Sequence, residues 1–103
     1  RGNPSGAYTV AFSSTLENFD RGQSEEFYDI VSSVMIGAGA NGMRMIRWIA
    51  AGPLSGSWAA LFYTDSLDAY MAGIAALYTT PEATSLMAKW GMRPLSRTIS
   101  INH

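Results

Sequence analysis

The sequence predicts an α+β domain in which four strands form one antiparallel sheet and the helices pack on one of its faces. Three observations support this prediction. Large apolar residues alternate with small or polar ones near both ends of the chain, at 8–13 and 95–101, which is typical of half-buried strands. Apolar residues at helical spacing fill two long segments between these strands. The turn-forming loop 52–56 separates two apolar runs and so predicts a β-hairpin.

The first half of the chain is predicted to contain one strand and one helix. Asp20 and Gln23 have the spacing of a capping box, and the apolar residues that follow predict a helix over 23–38. Glycine and asparagine in the segment 37–42 accept the left-handed conformation that helix ends require. This segment follows a helix and precedes a strand, the reverse of a phosphate-binding loop, so it is predicted to be a turn.

The second half begins with the hairpin, which is predicted to pair strands over 43–50 and 57–63. Asp65 or Ser66 then caps a second helix, because both residue types accept hydrogen bonds from the first free amides of a helix. The apolar residues of this helix recur at helical spacing over 67–77.

A third helical segment and a last strand complete the chain. Pro81 is suited to the first position of a helix, and Gly91 is suited to the position just past its end. Pro94 prevents the helix from continuing, and the alternation over 95–101 predicts the fourth strand.

This order of elements, strand–helix–strand–strand–helix–(helix)–strand, is that of a ferredoxin-like βαββαβ domain. We assign 7–103 to this single domain and 1–6 to a flexible lead-in rich in glycine, proline and serine. The third strand places apolar residues on both of its faces: Trp58, Ala60 and Phe62 on one, Ala59, Leu61 and Tyr63 on the other. Since the helices cover one face only, we predict a homodimer or higher oligomer that buries the other.

The stretch from Gly56 to Tyr70, a strand that runs directly into a capped helix, resembles the dimeric α/β barrel superfamily. Within it, the chain is similar to small NIPSNAP-like and antibiotic-biosynthesis-monooxygenase-like domains, over about residues 7–102. The likeness continues through 72–77 and through Thr80-Pro81-Glu82. The resemblance implies a ferredoxin-like dimeric α/β barrel. It implies no single activity, because members include cofactor-free oxygenases, haem-binding and haem-degrading enzymes, isomerases, cyclases and proteins without known activity.

Composition excludes several classes of protein. The 103 residues are 48% hydrophobic and 15% charged, with a net charge of −1, so no basic surface for nucleic acid is expected. The absence of cysteine excludes thiolate metal sites and a thiol nucleophile. No run of about 20 apolar residues predicts a membrane span. The compartment stays open, with the cytoplasm slightly favoured.

The titratable residues do not form a recognisable catalytic or metal-binding set. In the haem and cyclase branches of the resembled superfamily the usual catalytic residue is a pocket histidine, whereas the one histidine here, His103, follows the last strand. Glu25 and Asp29 lie near the start of a helix, where they complement its dipole, and Asp65 and Asp68 have the same explanation at the next helix. We therefore predict no metal and no cofactor.

Three arginines and two aromatic residues in the strands form the predicted ligand-binding set: Arg44, Arg47, Arg97, Trp48 and Tyr63. An arginine that enters an apolar cavity can orient a carboxylate, enolate or carbonyl oxygen. Residue parity across the hairpin, with no bulge, places Arg44 with Trp48 and Trp58 on one face and Arg47 with Tyr63 on the other. The alternative is that these arginines only form ion pairs between subunits.

Two functions of different classes follow. The first is a homo-oligomeric domain that binds a small apolar or aromatic ligand or is purely structural, since no nucleophile or metal set is present. The second is a cofactor-independent monooxygenase, cyclase or isomerase whose planar aromatic or polyketide-like substrate supplies its own carbanion. A cavity of about 300 Å³ or more beside Trp48 or Tyr63 in the dimer favours the second; a closed core favours the first.

Overall fold

The computed structural model describes residues 1–50 and 52–103. Its strands are β1 (Tyr8–Leu16), β2 (Gly42–Arg47), β3 (Trp58–Thr64) and β4 (Met92–Ile101). Its helices are α1 (Ser24–Gly37), α2 (Leu67–Tyr78) and α3 (Pro81–Lys89), and short 3-10 turns lie at Arg21–Gln23 and Gly52–Leu54. This order confirms the predicted α+β fold class.

The four strands form one antiparallel sheet in the order β2-β3-β1-β4. The two strands of the hairpin lie beside each other, and β1 lies between β3 and β4, so both central strands pair on two sides. This is the ferredoxin-like arrangement, and it leaves β2 and β4 as the edges.

The helices cover the face of the sheet that carries Val10 of β1, Met43 of β2 and Phe62 of β3, all of which are buried. Phe27 of α1 and Tyr70 of α2 pack against these residues in a single core. None of the described helices is long and apolar enough to cross a membrane.

The local signals that begin and end the helices are partly confirmed. The Ser66 hydroxyl accepts a hydrogen bond from the Ala69 amide at 3.2 Å and so caps α2. Gly91 follows α3 with a φ of 64°, the left-handed conformation predicted for it. Asp20 instead caps the 3-10 turn that precedes α1, and Gln23 makes no capping hydrogen bond through its side chain, so the predicted capping box is wrong.

Pro94 corrects the predicted start of the fourth strand. It lies inside β4, which begins at Met92, opposite Ser14 of β1. The register shifts between Ser13 and Ser14, which marks a bulge at this point. Proline is compatible with this position because β4 is an edge strand and a bulge interrupts its hydrogen bonds.

The register of the hairpin corrects the predicted parity. In every β2–β3 pair an odd-numbered residue faces an even-numbered one, so Arg47 lies opposite Trp58 and Arg44 opposite Leu61. Arg47 therefore shares the helix-covered face with Trp58. Tyr63, which was predicted to accompany Arg47, lies on the other face with Arg44.

Segment 1–3, within the predicted lead-in, runs along the free edge of β2. The Met43 amide donates to the Arg1 carbonyl at 2.7 Å, and the Asn3 amide donates to the Asn41 carbonyl at 2.9 Å. A Cβ atom on Gly42 would lie 2.4 Å from the Asn3 carbonyl oxygen, so this close approach requires glycine.

Candidate functional site

An apolar cavity lies between the sheet and the helices, above one row of paired residues. The row crosses the sheet from Arg97 of β4 through Phe12 of β1 and Ala60 of β3 to Met45 of β2. Ala60 ends in a methyl group between two long side chains, and all four residues line the space of about 50 Å³. The helices close it from above with these side chains: Phe27, Val31, Ile74, Leu77, Tyr78 and Met87.

Methionines form much of the cavity wall. Four of the six methionines of the chain line it: Met43, Met45, Met87 and Met92. Methionine side chains are unbranched and rotate freely, so they fill irregular space and can rearrange around a ligand. A volume of about 50 Å³ holds one or two water molecules. A larger molecule therefore requires these side chains to move.

Arg97 is the one charged side chain among the described residues that line the cavity. Its guanidinium carbon lies 5.8 Å from the centre of the Phe12 ring and 5.5 Å from that of Tyr70. Both rings therefore hold the cation by cation–π attraction. In the described part of the chain no carboxylate lies within ion-pair distance of Arg97. Arg97 is exposed, so its unpaired positive charge lies at the boundary between water and the apolar space.

Tyr70 lies beneath this arginine with no exposed surface. Its hydroxyl is buried and has no hydrogen-bond partner of good geometry among the described residues. Burial raises the pKa of Tyr70 above its usual value, and the positive charge of Arg97 offsets part of that rise.

Replacing Tyr70 with phenylalanine is expected to leave the free energy of unfolding unchanged or to raise it by about 1 kcal/mol, because an unpaired buried hydroxyl is removed. Because burial disfavours the phenolate, Tyr70 has no effect on the pH dependence of stability below the usual pKa of 10.0, and the folded state loses stability as the pH rises from there through its own raised pKa. Urea denaturation from pH 8 to 11 should therefore show a smaller alkaline loss in Tyr70→Phe. Tyr78→Phe, at an exposed tyrosine, is the control. A loss of more than about 1 kcal/mol at neutral pH would show that the hydroxyl is paired.

A second space opens on the other side of Trp58, between the start of α1 and the β2–β3 hairpin. This groove of about 370 Å³ is lined by Phe19, Arg21, Ser24, Glu25, Tyr28, Met45 and Trp58. The Phe19 ring lies 4.6 Å from the Trp58 ring, centre to centre. The Arg47 guanidinium carbon lies 5.4 Å from the centre of the Trp58 ring.

The remaining predicted site residues lie on the opposite face of the sheet, which none of the described helices covers and which we call the open face. Trp48 lies across this face and donates from its indole nitrogen to the Ser13 hydroxyl at 3.0 Å. Tyr63 is 9% exposed, and Arg44 is exposed. None of these three residues lines the cavity.

The structure thus divides the predicted set between the two faces of the sheet. Arg97 lines the cavity, whereas Arg47 is exposed and only contacts Trp58, which does line it. Sequence reasoning missed the methionine wall and the gap above Ala60. Alternate methionines at 43 and 45 were a usable signal for the first, whereas the second depends on the register of three strand pairs.

In the described part of the chain no three histidine, aspartate or glutamate residues lie close enough together to hold a metal ion. The site consists instead of apolar side chains, one arginine and a buried tyrosine. Fold and cavity together define a ferredoxin-like α+β domain with its internal space between sheet and helices.

Two solved structures share this fold. One is an EthD-like protein from Ralstonia eutropha, with a TM-score of 0.63 and 16% identity, over 93% of this chain and 92% of that one. The other is a protein assigned as an antibiotic biosynthesis monooxygenase from Bordetella bronchiseptica, with a TM-score of 0.57 and 14% identity, over 94% of this chain and 98% of that one. The predicted ferredoxin-like α+β fold is confirmed. No family model and no curated protein sequence matches the chain.

Proposed function

We propose that the protein is a homodimer that binds a small, flat aromatic anion in the cavity between its sheet and helices. The observation that carries this proposal is the position of Arg97, an unneutralised cation at one end of an apolar cavity. A guanidinium binds a carboxylate through two parallel hydrogen bonds, and the apolar walls suit an aromatic ring.

The dimer is proposed to form through the open face. Leu61 and Ile46 are only half-buried there in the single chain, and the half-buried Trp48 is hydrogen-bonded to Ser13. Burial of such apolar surface against a partner stabilises a dimer by about 25 cal/mol per Å². The cavity lies on the other side of the sheet, so ligand binding and dimer formation involve different residues.

A cofactor-independent monooxygenase, cyclase or isomerase is the second candidate. It is supported by the similarity to the Bordetella protein assigned as a monooxygenase. In such an enzyme Arg97 would stabilise an enolate oxygen of a planar aromatic or polyketide-like substrate. The cavity of about 50 Å³ is lined by neither Trp48 nor Tyr63, and this favours the binding function over the enzyme. Oxygen uptake or product formation with a bound enolisable compound would favour the enzyme.

Thermal shift with aromatic carboxylates and quinone-like compounds tests the binding function. A ligand at 100 times its dissociation constant should add about 2.7 kcal/mol of stability. Arg97→Met should weaken binding by about 10- to 100-fold, because a charge-assisted hydrogen bond contributes about 1.5–3 kcal/mol. Ala60→Val should also weaken binding, because added methyl groups fill the gap in the row.

Arg44→Met is the matched control, since it removes the same charge from the open face. It should leave the affinity of a bound acid unchanged. Equal affinities in wild type and Arg97→Met would refute the arginine-oriented pocket, and no shift with any compound would favour a purely structural protein.

A further inference from the structure

The inner cavity and the outer groove are neighbouring spaces with a shared wall. Met45 and Trp58 are the residues that line both of them. These two side chains lie on the same face of adjacent strands, as diagonal neighbours in the β2–β3 pair. Together they form a partition between the apolar space under the helices and the more open groove.

The partition limits the length of the space that extends from Arg97 across the sheet. Arg97 lies on β4 at one edge of the sheet, and Met45 lies on β2 at the other. Three strand spacings, about 14 Å, separate these strands, and the side chains at both ends shorten that length. A flat molecule in this space would have the helices on one side and the sheet on the other, so the partition would limit its length at the end away from Arg97.

Trp58 is the more rigid part of the partition. Its indole contacts both the Phe19 ring and the Arg47 guanidinium. An indole with two such contacts has less rotational freedom than the unbranched Met45 thioether. Trp58 is therefore the side chain that stops a ligand from extending into the groove.

We propose that Trp58, with Met45 beside it, determines the maximum length of the aromatic acid that the cavity accepts. This inference rests on the proposed ligand-binding function. An acid whose carboxylate is held by Arg97 has its far ring against the partition. Removal of the indole joins the cavity to the groove, where Ser24 and Tyr28 add polar groups that a longer ligand would meet.

The test is a set of linear aromatic acids of increasing length: benzoate, naphthalene-2-carboxylate and anthracene-2-carboxylate. Dissociation constants are measured by calorimetry for wild type, Trp58→Ala and Met45→Ala. Trp58→Ala should bind the three-ring acid at least about tenfold more tightly than wild type does. A single methylene group that does not fit an apolar pocket already changes affinity by about this factor, and an aromatic ring is larger. Affinity for benzoate should change much less. Met45→Ala should show the same trend to a smaller extent.

Tyr28→Ala is the matched control. It also replaces an aromatic residue with alanine and enlarges the groove, but Tyr28 does not line the inner cavity. The length limit should therefore stay that of wild type. Trp58→Phe, which keeps a smaller ring, tests the same limit if Trp58→Ala does not fold.

The two proposals fail in different ways. If the acids bind through Arg97 but every variant keeps the length ranking of wild type, the partition does not limit length and only this inference is overturned. If no acid binds to wild type or to any variant, the proposed function is overturned and this inference with it. A longer acid bound equally well by wild type would also overturn the inference.

Discussion

Replacing Leu61 with aspartate is expected to convert the protein from a dimer into a monomer, with damage to folding as well if the open face tolerates no charge. Leu61 lies near the middle of that face, between Ala11 on β1 and Arg44 on β2. In a monomer the new carboxylate can pair with the arginine opposite it. In a dimer formed sheet against sheet both groups lose water, and an imperfectly paired buried charge costs several kcal/mol.

Light scattering at micromolar concentration measures this effect, and circular dichroism shows whether the variant is folded. Ile49→Asp introduces the same charge at a side chain that is 91% exposed, and it should leave both measurements unchanged. A wild-type protein that is monomeric at micromolar concentration would refute the proposed assembly. A Leu61→Asp variant that stays fully dimeric would place the interface elsewhere.

Replacing Trp90 with alanine is expected to lower the free energy of unfolding by about 3–5 kcal/mol, as in other large-to-small substitutions of buried aromatic residues. Trp90 follows α3 and has no exposed surface. Its ring packs against Phe27 of α1 at 4.8 Å and against Phe19 at 5.2 Å. Its loss leaves a void where α1 and α3 meet the start of the groove.

Urea denaturation measures this loss, and Trp90→Phe is the matched control. The Trp90 indole N–H is buried without a partner among the described residues, so phenylalanine keeps a ring and removes an unpaired donor. Its cost should be well below that of alanine. A loss of less than about 1 kcal/mol for Trp90→Ala would mean that the site collapses around the deletion.

The sequence by itself determined the elements and their order, because the residues that begin and end them act over one turn of chain. Pro81 lies at the start of α3 and Gly91 just past its end, as predicted, and Ser66 caps α2. Each effect depends on the residue's own backbone preference or on an amide three residues away. The two-sided alternation of β3 is local in the same sense, and the register confirms it.

Only the tertiary structure decided which residues share a face and where the cavity lies. The register of β2 against β3 depends on the number of residues in the loop that connects them. The observed register places Tyr63 on the same face as Arg44 rather than with Arg47. The gap above Ala60 exists only because three separate pairings align it with Phe12, Met45 and Arg97. Because this alignment brings together residues that are far apart in the chain, it cannot be predicted from local sequence patterns.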